Sequence, residues 1–342
     1  MHNSEILLHV TRGALVECLH RGHIAVTDSA GRILASAGNP EVFMFARSSM
    51  KPIQALPVLE TGAAAAYGFT DAEIAILAAS HNGEEFHTAT VSSMLDKLGL
   101  DEHCLLCGPH APYHAPSAAC LAQAGIEPSE LHNNCSGKHA GMLALALHLG
   151  ADTGTYMDPA HPVQQRMLET VSLLSGYPAA KIVLGTDGCG VPVFGLPLVR
   201  LAAAYARLGE LSRSPEQQPG RLSAAAKRII SAIAAHPGQL AGTGRYDTRL
   251  IEVTQGRLIG KMGAEGVFAV AAPELGLGLA LKIEDGAQRA IYPAVTEALV
   301  QLGWLTGPES DALSGFHKPV VRNWKGTEVG EILPVFRLRQ EG

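Results

Sequence analysis

Short apolar runs broken by single polar residues open the chain. Residues 14–17, 23–28 and 32–36 read as strands, the last two joined by a turn at Ser29-Ala30-Gly31, which predicts an antiparallel sheet. Helical spacing then takes over: Leu56, Val58 and Leu59 give residues 54–62 an apolar side with a kink at Pro57, and residues 71–79 form a second helix that delivers Ser80 at its end. A helix through Val91, Met94, Leu95 and Leu98 stops at Gly99, before a Pro- and His-rich loop over 108–116. Residues 142–149 form a strongly apolar helix, 181–185 a short strand, 196–208 a helix, 212–221 a surface loop and 222–235 an amphipathic helix. After a Gly-rich stretch that can bring Arg245 to a substrate carboxylate, strands over 258–261, 266–270 and 277–283 lead to a closing helix over 291–302.

Within this frame the run Arg47-Ser48-Ser49-Met50-Lys51-Pro52 carries a candidate nucleophile. A serine hydroxyl needs a base, and a desolvated lysine can serve. At i and i+3, Ser48 and Lys51 share a helical face while Ser49 points away, so Ser48 is the candidate. Pro52 suits a first helical turn, so a helix is expected to begin near Ser48 and aim its positive end there. Ser80-His81-Asn82 and Lys261-Met262-Gly263 follow in the order Ser-x-x-Lys, Ser-x-Asn, Lys-x-Gly used by penicillin-recognising serine acyltransferases.

Composition narrows the class. With 47% hydrophobic and 17% charged residues among 342, the chain has ample core for a globular enzyme, and a net charge of -6 without basic runs argues against a nucleic-acid partner. No apolar stretch suits a membrane span, and the opening Met1-His2-Asn3-Ser4-Glu5 lacks a signal-like core, so a cytoplasmic location is expected. Six cysteines then read as reduced thiols. Gly137-Lys138 is no Walker loop, because positions 132 and 139 both hold His.

These motifs, with Asn134-Cys135-Ser136-Gly137-Lys138-His139-Ala140-Gly141-Met142, Gly185-Thr186-Asp187-Gly188-Cys189 and Gly260-Lys261-Met262-Gly263-Ala264, make the chain resemble the L-asparaginase II family, the thermolabile rhizobial type, along nearly its whole length. The resemblance implies an α+β fold of the serine β-lactamase/glutaminase kind, an antiparallel sheet flanked by helices plus a helical region. It also implies a homodimer. One catalytic domain over 1–342 is expected, its active site between a sheet part (about 1–50 and 250–342) and the helical part. By the same resemblance Ser48 with Lys51 and Ser80 with Lys261 become two serine-lysine pairs. Cys135, Lys138 and Cys189 become ligands of one zinc ion that positions substrate, and Arg47, Asp187 and His139 become substrate-binding candidates.

The expected reaction is hydrolysis of L-asparagine to L-aspartate and ammonia through a Ser48 acyl-enzyme. One alternative is a serine hydrolase of the same architecture acting on glutamine, a peptide or a β-lactam. The other is a non-catalytic zinc-binding protein.

Overall fold

The computed structural model describes residues 3–213 and 220–341, and among these residues twelve strands, all paired antiparallel, organise the molecule. The main sheet contains β1 (Glu5–Arg12), β2 (Leu15–Asp28), β3 (Ile33–Ala37), β7 (Ile259–Gly263), β8 (Val267–Ala272), β9 (Leu277–Ile283), β10 (Val320–Arg322), β11 (Glu328–Pro334) and β12 (Arg339–Gln340). Its order is β10-β11-β1-β2-β9-β8-β7, with β3 beside β2 and β12 beside β3, so β7 closes one end and, among the described residues, its outer edge carries no strand. A small second sheet has the order β4-β6-β5, from β4 (Phe43–Phe45), β5 (Val183–Thr186) and β6 (Pro192–Pro197).

Alternation along the central strands divides the core. Ile24, Val26, Phe268, Val270, Leu279 and Leu281 face the helix Gln288–Gln301, whereas Ala25, Ala269, Ala271 and Ala280 face the helical half. Small residues on that second face let a helix sit close. A Cβ at Gly278 would lie 2.1 Å from the Ala202 carbonyl oxygen of helix Leu198–Ser212. The helical half packs just as tightly where helix Asp71–Leu77 meets helix Ser136–His148, for a Cβ at Gly137 would stand 2.4 Å from the Ile76 carbonyl oxygen.

The expected antiparallel sheet, helices and α+β class are those observed. Several elements differ from the sequence pattern. The apolar helix begins at Ser136 instead of 142, which brings Lys138 and His139 onto it, and helices Ala115–Ala124, Pro162–Ser175 and Tyr246–Val253 add to those expected. The sheet part also draws in β10 to β12 beyond the closing helix. Of the expected surface loop over 212–221, residues 214–219 lie outside the described residues. Among the described residues no helix is long and apolar enough to cross a membrane.

Candidate active site

Two lysines and one serine meet beside β7. Lys51 is fully buried on the short helix Lys51–Gln54, Ser80 follows helix Asp71–Leu77, and Lys261 is fully buried on β7. Helix Asp71–Leu77 starts where Thr70 and Glu73 cap each other reciprocally, which fixes the frame that presents Ser80 three residues past its end. Lys51 Nζ donates to Ser80 Oγ at 3.0 Å and to the Ala79 carbonyl at 2.5 Å. Lys261 Nζ donates to the same hydroxyl oxygen at 2.9 Å and to the Met262 carbonyl at 2.7 Å.

Ser48 lies in a 3-10 turn, Arg47–Met50, that leads directly into the helix Lys51–Gln54, so helical structure begins near Ser48 as the Pro52 argument expects. The helix that follows is one turn long and supplies little axial dipole. Arg47 enters the turn at φ 51°, a left-handed conformation rare for a residue with a Cβ. Beyond the turn, Gly263 of β7 is required, because a Cβ there would lie 2.8 Å from the Ala46 carbonyl oxygen. Among the described residues Ser48 Oγ has no hydrogen-bond partner, and Lys51 bonds Ser80 instead of Ser48. Ser48 and Ser80 line one cavity of about 580 Å³ together with Asn82, Tyr113, Asn134, Arg245 and Met262.

Burial lowers Lys261 to about 7, opposed by the charge of Asp247 and assisted by Lys51 and Arg245. A buried lysine can therefore be neutral near neutral pH. Asp247, also fully buried, accepts from the Met262 amide at 2.7 Å and lies 4.0 Å from Lys261 Nζ. Asn82 accepts from Arg245 Nη1 at 2.9 Å, and Asn134 donates to the Tyr113 hydroxyl at 3.2 Å. The sequence pattern assigns Asp247, Asn82, Asn134 and Tyr113 no role. Arg245, by contrast, reaches the cavity from the Gly-rich stretch that was its only signal.

A sulfur and nitrogen cluster adjoins the serines. Cys135 caps the start of helix Ser136–His148, Lys138 lies in its first turn, and Cys189 sits in the turn between β5 and β6. Lys138 Nζ donates to Cys189 Sγ at 3.1 Å, and Lys51 Nζ to Cys135 Sγ at 3.1 Å. The hydrogen bond from Cys135 favours the thiolate of Cys189, lowering it to about 5, while the same pairing pushes Cys135 up to about 12. Burial disfavours charge on Lys138, but Cys189, Cys135 and Asp187 outweigh it and raise the amine above its ordinary value. Arg47 Nε donates to Asp187 Oδ1 at 2.9 Å, and Lys138, Lys51 and Arg47 hold Asp187 below its usual range against the effect of burial.

The expected zinc can be tested against these donors. Two sulfurs and an amine suit zinc, and the pairing with Cys135 favours the Cys189 thiolate, so the set fits once metal replaces the protons on Cys135 and Lys138. Among the described residues no three His, Cys, Asp or Glu side chains group to hold a metal, so a zinc ion here would need Lys138 as its third donor. His139 is buried next to Lys138. Its Nδ1 pairs with the Tyr156 hydroxyl at 2.7 Å, its Nε2 has no partner, and burial with the Lys138 charge lowers it to about 3, so the ring is neutral.

The profile of the L-asparaginase II family matches residues 8–334 of the chain. No curated protein sequence matches it significantly. Solved structures similar to it include a β-lactamase from Mycobacterium bovis, with 18% identity, TM-score 0.42 and coverage of 83% of this chain and 95% of that one. A D-alanine carboxypeptidase AmpC from Burkholderia cenocepacia shares 11% identity at TM-score 0.39, covering 83% and 93%. A protein named Mglu, in its native form and without a stated organism, shares 16% at TM-score 0.47, covering 83% of this chain but 64% of its own length.

Proposed function

This chain belongs to the L-asparaginase II family, and from that premise we propose that it is an amidohydrolase releasing ammonia from the side chain of L-asparagine. The observation that carries the chemistry is the convergence of Lys51 and Lys261 on Ser80 Oγ, in the cavity that Ser48 also lines. Ser48 Oγ attacks the amide carbon and its proton passes to the lysine pair, directly to Lys51 or through the Ser80 hydroxyl. The same base returns a proton to the amide nitrogen as the C–N bond breaks, so ammonia leaves and an ester remains on Ser48. Water then attacks that ester, and Ser48 recovers its proton as aspartate departs.

Cys135, Lys138 and Cys189 would hold zinc beside this cavity. When bound, the ion would supply a fixed positive charge for the amino-acid head group. Arg47, Asp187 and His139 surround that place and would orient the same group. The family resemblance supports a homodimer as the working form.

A second reading makes Ser80 the nucleophile, favoured by the two lysine contacts to its oxygen. Purified protein should release equal amounts of ammonia and aspartate from asparagine, and acid-quenched digests should carry the acyl group on the peptide containing Ser48. An adduct on Ser80 would establish the second reading. Turnover of glutamine, a peptide or a β-lactam in place of asparagine would change the substrate and leave the machinery. Absence of all turnover in folded, zinc-loaded protein would leave a metal-binding role alone.

A further inference from the structure

Asp247 is a fully buried carboxylate 4.0 Å from Lys261 Nζ, yet no step above uses it. It sits on helix Tyr246–Val253, is 0% exposed, and is bordered by the phenols of Tyr205, Tyr246 and Tyr292, each of which its charge raises in addition to the effect of burial. Oδ1 takes the Met262 amide at 2.7 Å, on the edge of β7 that has no neighbouring strand among the described residues. Among the described residues Oδ2 has no hydrogen-bond partner. A buried carboxylate with one oxygen unsatisfied is costly unless a charge compensates it, and the ammonium within 4.0 Å is Lys261.

We propose that Asp247 is the positioning residue for Lys261: one oxygen pins the edge strand at Met262, and the buried negative charge holds the Lys261 ammonium over Ser80. The inference rests on the reading of Lys261 as part of the proton-accepting pair. Lys261 is faced by Lys51 and Arg245, by the Cys135 thiol and by Asp247. Burial and the two cations all disfavour its charge, so Asp247 is the principal group that keeps it within range of a proton exchange at working pH. Without Asp247 the effects of burial, Lys51 and Arg245 would go unopposed, and the amine would be neutral over a wider pH range.

The test is the titration of Lys261 in the full chain carrying isotope-labelled lysine, followed by NMR and assigned with Lys261→Ala. Asp247→Asn keeps an acceptor for the Met262 amide and removes the charge. The Lys261 midpoint should move to lower pH by about half a unit or more, and the rise of rate with pH should move with it. An unchanged midpoint in folded Asp247→Asn would overturn the proposal. Should that variant fail to fold, Asp247→Glu retains the charge but displaces the carboxylate. It should keep the parental midpoint and lose kcat more than it raises KM, and parental kcat would overturn the positioning role. The titration needs no substrate, so failure to hydrolyse asparagine would count against the functional reading while this measurement still decides the inference.

Discussion

Lys51 Nζ stands 3.1 Å from Cys135 Sγ, so one amine joins the serine pair to the sulfur cluster. The same nitrogen contacts Ser80 Oγ at 3.0 Å, which makes the two halves of the site neighbours through a single buried side chain. Any change in the charge of Cys135 is therefore felt directly by Lys51. Zinc at the sulfur cluster and proton transfer at the serines would be coupled by this contact.

Substitution should separate the three serines. Ser48→Ala should lower kcat by about 10³-fold or more with the fold intact, as loss of a nucleophile does elsewhere. Ser49→Ala should keep most turnover, since Ser49 Oγ is turned inward and donates to the Ala46 carbonyl at 2.7 Å. Steady-state kinetics with thermal melts checks both, and a Ser48→Ala enzyme of near-parental rate would transfer the role to Ser80.

Metal analysis should find close to one zinc per chain, and Cys189→Ala should lose it. Affinity should rise with pH, because Cys135 and Lys138 must give up protons that the metal-free cluster holds firmly, Cys135 being pushed up to about 12. Zinc titration followed by calorimetry in buffers of different ionisation heat would report the protons released. Binding without pH dependence would mean that these side chains are not the donors.

Gly137→Ala tests the packing that sets the cluster in place. A new Cβ 2.4 Å from the Ile76 carbonyl oxygen meets backbone, which cannot swing aside. The strain should cost about 1–3 kcal/mol, more than the roughly 1 kcal/mol gained from alanine's helix propensity. Denaturant unfolding should show a lower midpoint, and zinc affinity should fall with it. An equal or higher midpoint would show that the two helices separate easily.

How far the sequence reveals this site depends on where the signal lies. Ser48, Lys51, Ser80 and Lys261 stand in short local motifs, and strands 23–28 and 277–283 show their apolar runs directly. Asp247 has no such mark, since its meaning lies in a bond to Met262, fifteen residues away on another element. Helix Ala115–Ala124 has no buried residue, so no apolar stripe announces it. The start of helix Ser136–His148 is masked by Gly137 and Gly141, which are poor helix formers kept for close packing. Strand β11 is mostly half-exposed, with Ile332 its one buried residue, and lacks clear alternation.

The pH profile follows from the lysine that the structure singles out. Lysine is ordinarily protonated until about pH 10.4 and cannot accept a proton at neutrality. Burial lowers Lys261 to about 7, with Lys51 and Arg245 reinforcing and Asp247 opposing the shift. The neutral form is the base. Below that midpoint its fraction, and with it kcat/KM, should rise about tenfold per pH unit, and above it the rate should level. The climb should therefore fall between about pH 6 and 8, well below that of an unperturbed lysine. Initial rates across that range, in protein shown by circular dichroism to stay folded, check this. A profile that rises only above pH 9 would mean that Lys261 stays charged during turnover, and a profile flat from pH 5 to 8 would point to a base other than lysine.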